Sequence, residues 1–181
     1  MLRLVVFLTG CCLVGIAHAA DTCPSGGTYD AKKSILGPGI GKYYLKKSTY
    51  TYEKPCLYVK VPTQTTLPAP YPFGYKEGDK WVSKTGTVDA EGDTIKDNDE
   101  VFGATKSKVV YSDYTTCDVT LFSGDKIQGE HVELWVHSDA QENSDAVKCC
   151  EQRFQAELSK KGKKASDVKK VSENCTPYPT R

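Results

Sequence analysis

Residues 117–135 read CDVTLFSGDKIQGEHVELW. Two stretches of alternating apolar and polar residues flank Ser123, Gly124, Asp125 and Lys126, whose glycine and aspartate mark a turn, so the segment reads as a β-hairpin. Along residues 131–137, alternation separates an aliphatic face of Val132, Leu134 and Val136 from a face of His131, Glu133, Trp135 and His137. Both faces have something to cover. A small barrel with one helix packed outside accounts for this: the aliphatic face lies under the helix, and Glu133 and Trp135 point into a cavity. On the first arm Cys117 alternates with Asp118. If Cys117 reaches outward to a cysteine of that helix, then Asp118, Thr120 and Phe122 point inward. A two-residue loop at Gly124 and Asp125 sets Asp118 opposite His131, Thr116 opposite Glu133 and Tyr114 opposite Trp135. Asp118 and Glu133 are then diagonal neighbours on one face, roughly 7 Å apart. An odd loop length would turn one arm's side chains to the other face.

Either acid alone would read as an exposed residue on a strand edge. Two carboxylates in a partly dry cavity lose hydration and repel each other, so one takes up a proton or a cation neutralises them. Trp135 and Tyr114 on the same face favour an organic cation over a metal, because aromatic faces attract ammonium groups. The composition of this face is that of an amine pocket.

The rest of the chain supplies the frame. Residues 1–19 carry Arg3, an apolar run from Leu4 to Ile16, and Ala17, His18 and Ala19 as a small-x-small cleavage site, which together read as a secretory signal. The apolar run is too short for a membrane anchor, which needs about 20 residues. A lipoprotein box at Leu8 to Cys11 would leave an apolar stretch after its cut. Residues 20–181 then form one domain. The 24 basic and 23 acidic residues are interspersed apart from Lys160, Lys161, Lys163 and Lys164, which argues against nucleic acid as a partner and assigns the lysine run to a solvated helix end. A monomer with no membrane partner is expected; a protein partner is not legible.

Signal removal takes Cys11 and Cys12 and leaves Cys23, Cys56, Cys117, Cys149, Cys150 and Cys175. An even set in an exported chain implies three disulfides. Adjacent Cys149 and Cys150 would be strained if joined to each other, so each pairs elsewhere. Neither a metal nor a cofactor is expected, since the cysteines and histidines lack metal-site spacing.

Strands are expected at 40–52, 56–61, 80–84, 86–96, 107–114, 115–122 and 127–137, in stretches rich in Tyr, Val, Thr and Phe. The count suggests a barrel rather than a small sandwich. Residues 62–74 hold four prolines and read as a long loop at the barrel mouth. No helical period competes before Ser144, which caps a helix with Val147, Cys150, Phe154 and Leu158 on one side, ending at Gly162. Asn174, Cys175 and Thr176 form a glycosylation sequon.

Cys117-Asp118-Val119, then Glu133-Leu134-Trp135, then Cys149 resembles the biogenic-amine-binding signature of tick salivary lipocalins. The paired Cys149 and Cys150 opening a helix and the late Cys175 are similar to soft-tick members of that group. The resemblance implies a mainly β fold, an eight-stranded antiparallel barrel with a C-terminal helix outside, and a secreted scavenger of histamine or serotonin. It also implies the pairs Cys23–Cys149, Cys56–Cys175 and Cys117–Cys150. By the same resemblance Asp118 and Glu133 meet the ligand's amine and Trp135 packs on its ring, with Tyr114 added from the pairing above. Tyr43, Tyr44, Tyr58 and Trp81 are further candidates for the pocket. Lipocalins outside ticks carry an early Gly-x-Trp; here Gly41-Lys42-Tyr43 stands in that place. The alternatives are a lipocalin sequestering a leukotriene or other lipid, or one blocking complement through its outer surface. An enzyme is not expected: only His131 and His137 remain after the signal, and no nucleophile elbow is present.

Overall fold

Alternation along the strands closes into a ring. The computed structural model describes residues 23–24 and 26–179; the signal expected at 1–19 lies outside them. The strands are β1 (Lys42–Ser48), β2 (Tyr58–Lys60), β3 (Ala69–Glu77), β4 (Lys80–Glu91), β5 (Thr94–Asp99), β6 (Gly103–Ser112), β7 (Cys117–Gly124) and β8 (Ile127–His137). Each pairs antiparallel with the next, and β1 pairs with both β8 and β2. That double pairing closes an eight-stranded barrel and leaves no open edge among these strands. A two-residue strand, β9 (Lys169–Lys170), adds to β1 beside the seam.

Helix α2 (Asp145–Lys160) is capped by Ser144, whose hydroxyl accepts from the amide of Val147 at 3.3 Å. Its apolar side presents Cys150, Phe154 and Leu158 to Val119, Leu121, Val132, Leu134 and Val136 of the barrel's outer wall. Every residue from Cys117 to Phe122 is buried, because β7 has the helix on one face and the lumen on the other. The disulfides are Cys23–Cys149, Cys56–Cys175 and Cys117–Cys150, with Cα separations of 5.3, 5.5 and 6.3 Å, inside the usual range.

Four expectations are corrected. The residues read as a proline loop contain β3, with Pro70 and Pro72 exposed on its outer side and Ala69, Tyr71 and Phe73 buried. β2 meets β3 only at Phe73 and Gly74, so the proline half has a strand on one side alone and forfeits no second ladder. The strands expected at 80–84 and 86–96 are instead β4 and β5, the break falling at Gly92 and Asp93. Gly86 continues β4 opposite Tyr71, whose ring lies where a Cβ would meet it at 2.7 Å. A short helix, α1 (Ala31–Leu36), precedes β1, capped by Asp30; six residues are too few to show a period.

The fourth concerns the hairpin register. Asp118 pairs with Trp135 rather than His131, Thr120 rather than Thr116 faces Glu133, and Phe122 faces His131. The turn is Asp125 and Lys126, between paired Gly124 and Ile127, and β8 then bulges before His131. Gly129 adopts φ 82° within that bulge, a conformation that costs glycine little. The net slip is an even number of residues, so every side chain keeps the face that alternation assigned.

Candidate functional site

Inside the barrel are two adjoining chambers of about 100 and 60 Å³. A single water needs about 10–15 Å³ on such a measure, so each has room for several waters or a small ligand. Val59, Tyr71, Asp97, Ser107 and Trp135 belong to both walls and mark the boundary.

The larger chamber lies toward α1. Asp118, Thr120 and Trp135 enter it from the hairpin, Tyr43 from β1, and Ser34 and Ile35 from α1. Asp118 is held at its post by the turn before β7, where Asp113 Oδ1 accepts from the amides of Thr115, Thr116 and Cys117 at 3.0, 2.6 and 3.2 Å. Burial pushes the Asp118 carboxyl up to about 7, against the opposing pull of the nearby Ser112 and Ser34 hydroxyls. Oδ1 of Asp118 has no hydrogen-bond partner among the described residues.

The smaller chamber holds Glu133, Glu53, Asp99, Phe73, Phe102 and Phe122. Glu133 is 2 % exposed and Glu53 3 %. Glu133 Oε2 accepts from Trp135 Nε1 at 2.9 Å and Thr120 Oγ1 at 3.4 Å, which fixes the tilt of the indole across the boundary. Both carboxyls are pushed up, first by burial; Glu133 adds to the rise at Glu53, and Asp97 to that at Glu133. Asp97 is itself raised to about 7 by burial and by Asp99. None of these acids makes a salt bridge among the described residues. The lumen is a cluster of buried carboxyls lined with aromatic rings, offset only in part by Lys169 near Glu53, and the charge it can accept is positive.

Asp118, Glu133 and Trp135 are therefore brought together in one lumen, but the two acids open on different chambers with the indole between them. Tyr114 is not with them. It sits at φ 63° in the turn before β7, and its hydroxyl accepts from the amide of Asp30 at 3.1 Å, so it anchors α1. Of the other candidates, Tyr43 lines the larger chamber. Tyr44, Tyr58 and Trp81 gather around Tyr178 of the C-terminal tail, with centroid distances of 4.0, 6.1 and 5.2 Å, and belong to neither chamber. Sequence reasoning missed Asp97 and Asp99, although Ile95, Asp97 and Asp99 alternate within β5 and carried a usable signal. Glu53 lies in the β1–β2 connection, where no periodicity exists to reveal it.

A family model for tick histamine binding protein matches residues 20–177. The chain belongs to the tick histamine-binding protein family. The crystal structure of AM182 in complex with serotonin is 31 % identical in sequence, covers 87 % of this chain and 99 % of its own, and superposes with a TM-score of 0.71. The siderocalin Ex-FABP is 10 % identical over 76 % of this chain and 91 % of its own, with a TM-score of 0.57. The bovine lipocalin allergen Bos d 2 is 12 % identical over 80 % and 99 %, with a TM-score of 0.56. These last two share the lipocalin fold alone. Asp118 and Glu133 are both buried and neither has a salt-bridge partner among the described residues.

Proposed function

We propose that this protein binds a biogenic amine, histamine or serotonin, inside the barrel and holds it unchanged. Exported by the signal at 1–19, with 20–181 as the mature lipocalin domain, it keeps the amine from host receptors. The observation that carries this reading is the unpartnered Oδ1 of buried Asp118 in a chamber walled by Trp135 and Tyr71. An ammonium entering there supplies the missing partner and the missing charge, and the rings offer faces for stacking or cation attraction worth about 0.5–2 kcal/mol. Family membership and the serotonin bound to AM182 support the same ligand class.

In this reading Glu133 orients the Trp135 indole and, with Glu53, makes the smaller chamber a seat for a second cation; the unpartnered Oε2 of Glu53 favours that. The carboxyl cluster opposes an anionic lipid. Calorimetric titration of the disulfide-intact protein with histamine, serotonin and a leukotriene tests the proposal. Stoichiometric amine binding with no leukotriene heat is the expected result, and the number of amines bound reports on the smaller chamber. Binding of the leukotriene alone would overturn it.

A further inference from the structure

Lysines that are scattered along the sequence gather on one outer wall of the barrel. On β1 and β2, Lys42, Tyr44 and Lys46, then Tyr58 and Lys60, alternate with inward Tyr43, Leu45 and Val59, so they point outward. Lys42 stands directly opposite Lys60, and Tyr44 opposite Tyr58. Tyr58 pairs in turn with Gly74, Gly74 with Ser83, and Lys76 with Trp81. Lys42 and Lys60 therefore lie on one side of the tyrosine row, and Lys46 and Lys76 on the other. The sequences of β1 and β2 contain no acid.

None of these four lysines makes a salt bridge among the described residues. The acids that flank the wall are already engaged: Glu77 pairs with Lys54, Glu100 with Lys84 and Glu173 with Lys170, while Asp139, beside Tyr44, accepts from the Ser138 hydroxyl. Rings hold the cations instead. Lys42 Nζ lies 5.1 Å from the centre of Tyr58, Lys46 Nζ 5.8 Å from Tyr44 and Lys76 Nζ 5.5 Å from Trp81. Lys42 also donates to the Pro179 carbonyl and Lys76 to that of Asn174. Like charges directly opposed across a strand pair are destabilising, and burial, then the Lys60 charge, push the Lys42 ammonium down. An anion lying between the two removes that cost. Beside them the wall carries a groove of about 450 Å³ bordered by Tyr58, Lys60, Ser83 and Thr85.

We propose that this outer wall binds a sulfated polysaccharide, with sulfates on Lys42, Lys60, Lys46 and Lys76 and the sugar chain against the groove. Outward residues on one strand recur about every 6.6 Å, which sets Lys42 and Lys46 roughly 13 Å apart. One small anion cannot span that interval, whereas a polymer with repeating charges can. The exposed Ser83 and Thr85 hydroxyls donate to sulfate or sugar oxygens. A membrane fits less well, because surface insertion needs apolar side chains that reach outward. Here Tyr58 is buried, and Tyr44, Trp81 and Tyr178 are half-buried around it. Three disulfides also suit an oxidising, extracellular setting, where sulfated polysaccharide is the polyanion at hand. The inference does not depend on what the lumen holds.

The test is titration of the disulfide-intact protein with a heparin oligosaccharide over a range of salt, beside the same oligosaccharide after desulfation and vesicles containing phosphatidylserine. The parent should bind heparin at about 0.15 M salt, with affinity falling steeply as salt rises, and should not bind the desulfated chain. Lys60→Gln combined with Lys76→Gln should weaken binding by about tenfold or more and flatten the salt dependence by about two in log–log slope. Lys163→Gln with Lys164→Gln removes the same charge from the end of α2 and should leave affinity close to the parent's. Replacing Lys60 and Lys76 with arginine keeps the charge and should keep binding. The glutamine pair at 60 and 76 should melt no lower than the parent, since one of two opposed charges is gone. No heparin binding, or equal binding of the desulfated chain, overturns the proposal without any variant having to fold. Equal loss in the two glutamine pairs overturns it by reducing the effect to overall charge, and binding to the vesicles without heparin binding assigns the wall to a membrane instead.

Discussion

Asp118 is buried, and burial raises it to about 7, which sets up two opposed effects of charge. Asp118→Asn keeps the shape and removes the cost of ionising a buried carboxyl, so unliganded stability should hold or rise. Amine affinity should fall by at least tenfold, equivalent to about 1.5–3 kcal/mol for a charge-assisted hydrogen bond; titration beside a thermal melt checks both. The pH dependence has a definite sign. Asp97 and Asp118 ionise near 4 in the unfolded chain and at about 7 when folded, so the folded state binds more protons between those values. Their stabilising contribution is complete below about 4 and is lost as pH rises through 7. The unliganded protein should therefore melt at a higher temperature at pH 5 than at pH 8. An amine requires the ionised carboxylates, and its affinity should weaken over the same interval as the pH falls. A melting curve indifferent to pH would contradict the burial of these acids.

At the scale of elements, the hairpin and the helix carry the architecture through one shared face. Phe154 is fully buried against the outer wall of β7 and β8, and Phe154→Ala should cost about 3–5 kcal/mol in urea unfolding, with the barrel's sheet signal retained up to the earlier midpoint. The hairpin also shows what alternation alone can and cannot settle. Period two assigned Asp118, Thr120, Glu133 and Trp135 to one face correctly. The pairing between arms depended on a turn one residue later than expected and a bulge at Gly129, both set by local backbone geometry. Tyr114 was drawn to Trp135 by that mistaken register. Its own position in a turn at positive φ is fixed by contacts with Asp30, far away in sequence.

At the scale of the molecule, closure rests on β1 lying between β8 and β2, and the disulfides tie the ends of the chain to this frame. Cys56–Cys175 holds the tail across 119 residues of chain. Replacing both cysteines with serine should lower stability by about 2–5 kcal/mol and free the tail for limited proteolysis, while amine affinity is retained because neither residue lines a chamber. Alternation, cysteine count and the capped amphipathic helix were sufficient to determine a mainly β barrel with one outer helix, since each of these signals is local or nearly so. The two inward acids and the tryptophan were legible for the same reason. The division of the lumen into two chambers, the arrival of Ser34, Tyr43, Glu53 and Asp97, and the strand hidden among the prolines were decided only by the tertiary structure. A cavity wall is assembled from residues distant in sequence, and no periodicity within one segment reports what faces it across the barrel.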